Sequence, residues 1–103
     1  MKFTLFSLGK ADTLAQSLAR RITTRYPPVI ANTPEQVVSR ERVEEIIDTI
    51  FSVEIESGSR PGIVFRTALG HAFKWKLREI GYDDEFVDFA AKKLGDRLAH
   101  RSE

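Results

Sequence analysis

A chain of 103 residues, 42% hydrophobic and 30% charged, has the size of one compact globular domain, above the size at which disulfides or metals become necessary to hold a fold. It has no cysteine, which excludes a disulfide framework, a thiolate metal site and a cysteine nucleophile, and agrees with a reducing cytoplasmic setting. Formal net charge is +1, so no global field draws the chain onto nucleic acid or anionic lipid.

The apolar patch near the start is interrupted by Thr4 and Ser7 and leads into a charged, periodic segment rather than a small-residue cleavage site, so it does not read as a signal peptide. Phe3, Leu5, Phe6 and Leu8 fit either a short edge strand or an apolar arm on the domain. No apolar run approaches the roughly 20 residues that cross a bilayer, and the expectation is a soluble protein with no membrane partner.

A first helix is predicted over Ala11 to Tyr26, where Leu14, Leu18, Ile22 and Tyr26 recur every fourth position beside Ala15 and Ala19. Asp12 is its expected N-cap, and Pro27-Pro28 stops it because neither proline continues the hydrogen-bond ladder.

A second helix is expected from the stretch TPEQ. Thr33 accepts from an orphan amide, Pro34 fits the first turn, and Gln36 reaches back as a capping box. The helix runs through Val43, Ile46, Ile47, Ile50 and Phe51 to about Glu56. The alternation in SVEIES, followed by SGSRPG and IVF, keeps a short β-ribbon as the alternative.

Pro61 suits the first turn of a third helix, which ends at Gly81. A fourth begins at Asp83, with Asp84, Glu85 and Asp88 toward its positive end and Lys92, Lys93, Arg97 and Arg101 toward its negative end, as the helix dipole favours. Phe86, Phe89, Ala90, Leu94 and Leu98 supply its inner face. The sum is an all-α fold, one domain over residues 1–103, a compact bundle of about four helices with an N-terminal strand or arm as a possible addition.

Charge is unevenly distributed. Residues 33–57 hold seven acids against two bases, and residues 60–82 hold five bases against one acid. The simplest expectation is that the second and third helices complement each other.

Known chemistries find little support. Gly9 and Lys10 resemble the end of a phosphate-binding loop, but the upstream glycine is missing and Ala11 stands where a magnesium-binding hydroxyl belongs. Ser7 and Lys10 have the spacing of serine-lysine acyl enzymes without their companion motifs. His71 has Thr67, Ala68, Lys74 and Trp75 at the helical spacings where a second metal ligand belongs. His100 has Asp96 and Glu103 near it, but Arg97 and Arg101 compete for those carboxylates. DDEFVD lacks the glycine and alternating oxygens of a calcium loop and reads as a helix cap. Glu41, Glu44, Glu45 and Asp48 form an acidic face without a nucleophile or histidine beside it. No cofactor, metal or catalytic residue is expected.

The third helix is the richest element. At 3.6 residues per turn, Phe65, Leu69, Ala72, Phe73 and Ile80 share a core face that also holds Lys76. Thr67, His71, Lys74 and Arg78 line the opposite side, and Trp75, aligned with Ala68 and Val64, borders that polar stripe.

Two readings compete. In the first, Lys76 snorkels or pairs with a carboxylate of the second helix, while Val64, Trp75 and Lys76, with Ile46 and Ile50 of the second helix, meet a protein partner or a second copy. The chain is then a small cytoplasmic accessory or regulatory protein, self-associating as a homodimer through its second and third helices. In the second reading, Arg66, His71, Lys74 and Arg78 and the cluster Arg20, Arg21 and Arg25 of the first helix meet nucleic acid. A helix-turn-helix docking led by the fourth helix would aim Asp83, Asp84 and Glu85 at DNA, which counts against that version.

Overall fold

The computed structural model describes residues 2–35, 38–55 and 62–99, with residues 2–8 described by backbone alone. The elements are α1 (Lys2–Arg25), α2 (Pro28–Ala31), α3 (Arg40–Glu54), α4 (Ile63–Ile80) and α5 (Asp84–Ala99). The fold is all-α, with no strand among the described residues. Helix α1, 24 residues long, reaches about 36 Å at 1.5 Å per residue and accounts for the elongated outline of 46 × 31 × 19 Å.

The expected start of the first helix is corrected. Residues 2–10 are neither strand nor arm but the opening turns of α1. Asp12 does not cap it, because its carboxylate lies mid-helix and faces Lys76 of α4 at 3.4 Å. Between Lys2 and Asp12 Gly9 is the residue least suited to a helix, at about 1 kcal/mol, and there is no proline to break the ladder. Further along, Ala11, Ala15 and Ala19 are each no more than 1% exposed. Their spacing of four puts three methyl groups in one row, and α4 packs most extensively against α1.

Pro27-Pro28 does end α1, but Pro28 then opens the single-turn helix α2 with its fixed φ. The expected cap at Thr33 is also corrected. Thr33 Oγ1 donates to the Val29 carbonyl at 2.6 Å and so finishes α2. The N-cap of α3 is Ser39, extended at ψ 156°, whose Oγ accepts from the Arg42 amide at 3.2 Å. Gln36, the other half of the expected capping box, lies outside the described residues.

Helix α3 closes at Glu54, where the Ile55 amide donates to the Phe51 carbonyl at 2.8 Å. Glu56, Arg60 and Pro61, with the turn expected between them, lie outside the described residues. Ile63, Val64 and Phe65, the far arm of the alternative β-ribbon, are instead the first turn of α4. That helix ends at Gly81, whose φ of 123° suits a residue without Cβ and whose amide returns to the Leu77 and Arg78 carbonyls. Asp83 then caps α5 by accepting from the Phe86 amide at 3.2 Å, so the expected start is observed.

The core is apolar, with no buried polar or charged residue among those described. Phe51, Phe73, Leu18, Ile22 and Leu69 are among its fully buried side chains. The rings of Phe51 and Phe73 meet edge to face at 6.0 Å, joining α3 to α4 at the centre.

The expected pairing of an acidic second helix with a basic third helix is replaced by a different wiring. Acidic α3 sends Glu54 to Arg21 and Ser17 of α1, and Asp48 to Lys93 of α5 at 3.1 Å. Basic α4 sends Lys76 to Asp12 of α1, and Lys74 and Arg78 to Asp88 and Asp84 of α5. The charges do complement, but through the flanking helices, because α1 and α5 pack against both α3 and α4, while α3 and α4 reach each other through the Phe51 and Phe73 rings.

Candidate functional site: the outer face of α4

Helix α4 packs between α1 and α5, and its sequence turns two unlike faces to its surroundings. Leu69, Phe73 and Leu77 are fully buried, while Val64 and Trp75 are 57% and 61% exposed. At 100° per residue, Val64, Ala68, His71 and Trp75 lie within about 60° of one another and opposite Phe73. Their spacing of four, three and four is that of a helix-pairing seam turned outward. Trp75 shares one shallow depression with Ala68, His71, Ala72 and the Asp12 carboxylate of α1. Two small alanines beside one large ring give the surface relief. The expectation that Trp75 only borders the polar stripe is sharpened: it stands on the solvent side of the helix.

The bases along this face are already occupied. Lys74 Nζ lies 3.5 Å from Asp88, Arg78 Nε donates to Asp84 at 3.2 Å, and Lys76 Nζ lies 3.4 Å from Asp12. Each cation has an aspartate of a neighbouring helix beside it, so the face is nearly balanced in charge. Lys76 keeps only 22% of its side chain exposed. Its ammonium reaches the carboxylate of α1, not one on α3 as expected.

Arg66 does not join the outer stripe. It is partly buried, and its Nε is a buried nitrogen without a hydrogen-bond partner among the described residues. His71 is exposed.

The α3 residues assigned to a partner surface are mostly spent on the chain's own core. Ile50 is 3% exposed and Ile46 is half-buried against the core, because α3 is contacted by both α1 and α5. Ile50 is therefore withdrawn as a contact residue. Of the apolar surplus expected on this helix, Val53 is the residue that stays outside the core, at 67% exposed.

The basic cluster of α1 divides as well. Arg21 is paired with Glu54, whose other oxygen accepts from Ser17 at 2.8 Å, so this arginine ties α1 to the end of α3. Arg20 and Arg25 are exposed. Arg20 and Arg21 border a depression along α1 with Thr13 and Thr24, separate from the depression at Trp75. The two basic groups do not form one lining.

No described helix is long and apolar enough to cross a membrane. No protein-family description, curated protein or solved structure matches the chain.

Proposed function

We propose that the chain is a small cytoplasmic accessory or regulatory protein that acts by protein contact rather than catalysis, with the outer face of α4 as its contact surface and a second copy as its partner. The observation that carries this reading is Trp75, 61% exposed in line with Val64 and Ala68, with a charge-balanced border around it. Covering the exposed part of such a ring is worth about 3 kcal/mol in apolar burial. Aromatic anchors beside small-residue hollows are what well-packed interfaces use. In an antiparallel approach of two α4 helices, the ring of one copy meets Ala68 of the other, which makes the surface complementary to itself. The self-association first expected of the second and third helices narrows to α4, since α3 uses Ile47, Ile50 and Phe51 internally.

Trp75 is the sole tryptophan, so its emission reports directly on the surface. With rising protein concentration, sedimentation should show a dimer and the emission should move to shorter wavelength in step. Trp75→Ala should abolish the dimer while leaving the thermal midpoint of the monomer nearly unchanged. A strict monomer at high concentration with unshifted emission removes the second copy as partner.

Nucleic-acid binding is the weaker reading, because the carboxylates of Asp84 and Asp88 sit beside the bases that would meet phosphates. It demands affinity that falls steeply with salt and a slope flattened by Lys74→Ala with Arg78→Ala.

A further inference from the structure

Away from the α4 face, the end of α1 and the short α2 meet the first turns of α3 and α5 around a groove of about 200 Å³. Aromatic rings form its wall. Tyr26 and Phe86 lie 5.5 Å apart between centroids, and Phe86 and Phe89 6.4 Å apart. Glu35, Asp83 and Glu85 also line the groove, with Arg40 as the one cation among its lining residues. The guanidinium carbon of Arg40 sits 4.8 Å from the centroid of Phe89.

These features point to one ligand chemistry. The faces of aromatic rings carry negative quadrupole charge and attract cations, guanidinium above all. Asp83 is engaged by the Phe86 amide, so the exposed carboxylates of Glu35 and Glu85 are the ones that lend the concave wall a negative potential. The volume lies below the roughly 300–1,000 Å³ of sites for drug-sized molecules, which restricts the occupant to something of side-chain size. Arg40 shows a guanidinium already resting on this wall, while its own position at the exposed start of α3 leaves it free to swing into water.

We propose that this groove binds a guanidinium group from outside the chain, and that Arg40 is an internal occupant which the ligand displaces from Phe89. Arg40 thus competes with the ligand rather than holding it, and removing it strengthens binding. A cation–π contact at an exposed site corresponds to about a two- to fivefold change in affinity. The inference is independent of the α4 surface and survives if the chain is monomeric.

The test is a titration followed by the ring resonances of Phe86 and Phe89, with argininamide, with a capped Gly-Gly-Arg-Gly-Gly peptide, and with citrullinamide as the neutral isostere. Saturable binding of the arginine compounds is expected. It should be tighter by about two- to fivefold in Arg40→Ala, weakened in the exposed-site variant Glu85→Gln, and lost in Phe89→Leu, which keeps an apolar side chain against the core. Circular dichroism confirms that each variant is folded. Tighter binding of the peptide than of argininamide assigns the guanidinium to a protein partner, and equal binding assigns it to a free small molecule. Absence of binding to both the natural chain and Arg40→Ala overturns the proposal, as does equal binding of citrullinamide. Weaker binding in Arg40→Ala overturns the displacement.

Discussion

The phenol of Tyr82, which follows α4, donates its hydrogen to the backbone carbonyl of Tyr26, 56 residues earlier, just beyond the end of α1. Tyr82 is 4% exposed and stacks at 4.6 Å on Phe86 of α5. One side chain thereby joins the ends of α1 and α4 to the first turn of α5.

Both tyrosines of the chain are held above the ordinary phenol value of 10.0. Burial is the main cause for each, and Asp83 adds to it for Tyr26 while Arg40 opposes it. The unfolded chain therefore ionises first as pH rises. Stability from these phenols is complete below pH 10.0 and is lost as pH climbs through the higher folded values. Urea unfolding at stepped alkaline pH, followed with tyrosinate absorbance, should show a midpoint that is level below this range and falls within it. Tyr82→Phe should lower neutral-pH stability by about 1 kcal/mol and make the alkaline fall shallower.

Asn32 forms a second tie at the same end of the bundle. Its Nδ2 donates to the Gly81 carbonyl at 2.9 Å and its Oδ1 accepts from the Asp83 amide at 3.2 Å. One amide thus serves the donor and the acceptor left by the turn from α4 to α5. Asn32→Ala should cost about 1–2 kcal/mol, two solvent-accessible bonds at the low end of their usual range. Asn32→Asp should do no better, because it loses the donor and places a carboxylate next to Asp83. Chemical denaturation of the three chains provides the comparison.

Gly81 separates backbone strain from crowding. A Cβ at this position would meet the Pro28 side chain at an ordinary 3.8 Å, so space is not the obstacle, but φ of 123° is. Gly81→Ala should lower stability by about 1–3 kcal/mol. Gly95, exposed in α5 with nothing within 4 Å of an added Cβ, should respond in the opposite direction. Gly95→Ala is expected to gain about 0.5–1 kcal/mol from helix propensity. Thermal midpoints moving in the same direction for both variants would contradict the assignment of strain to Gly81.

Helical periodicity made the four long helices readable, since Leu18, Ile22, Val43, Ile47, Leu69, Phe73, Ala90 and Leu94 recur at spacings that only a helix places on one face. Boundaries read from single polar residues fared worse. Asp12 and Thr33 are good caps by residue type, yet Asp12 serves Lys76 and Thr33 serves α2, and nothing local distinguishes these uses from capping. The partner of a charge was equally hidden. Lys76 lies within reach of a carboxylate only because α1, rather than α3, runs beside α4. Trp75 was legible as an outlier from the core stripe, but Ile50 was not legible as core, because an apolar surplus on α3 looks the same whether it meets one helix or two. The aromatic groove is not legible in the sequence, because Tyr26, Phe86 and Phe89 each fit the inward face of their own segment, and their convergence with Arg40 is set by tertiary packing.

Lys76 decides whether a charge on an otherwise core-facing stripe serves the fold or a partner. Its side chain is 22% exposed and that of Asp12 is 60% exposed, so the pair is screened on one side and its coupling should be about 0.2–1 kcal/mol in a double-mutant cycle at low salt. Added salt should erase most of that coupling. Lys76→Met keeps a mostly buried unbranched stem and removes the ammonium, leaving the 60%-exposed Asp12 in water where it needs no partner. That variant should be as stable as the natural chain or slightly more so, with an unchanged dimerisation constant if Trp75 is the anchor of the α4 surface. A Lys76→Met chain that folds normally yet no longer associates would move the centre of the contact surface from Trp75 to the α1 side of α4.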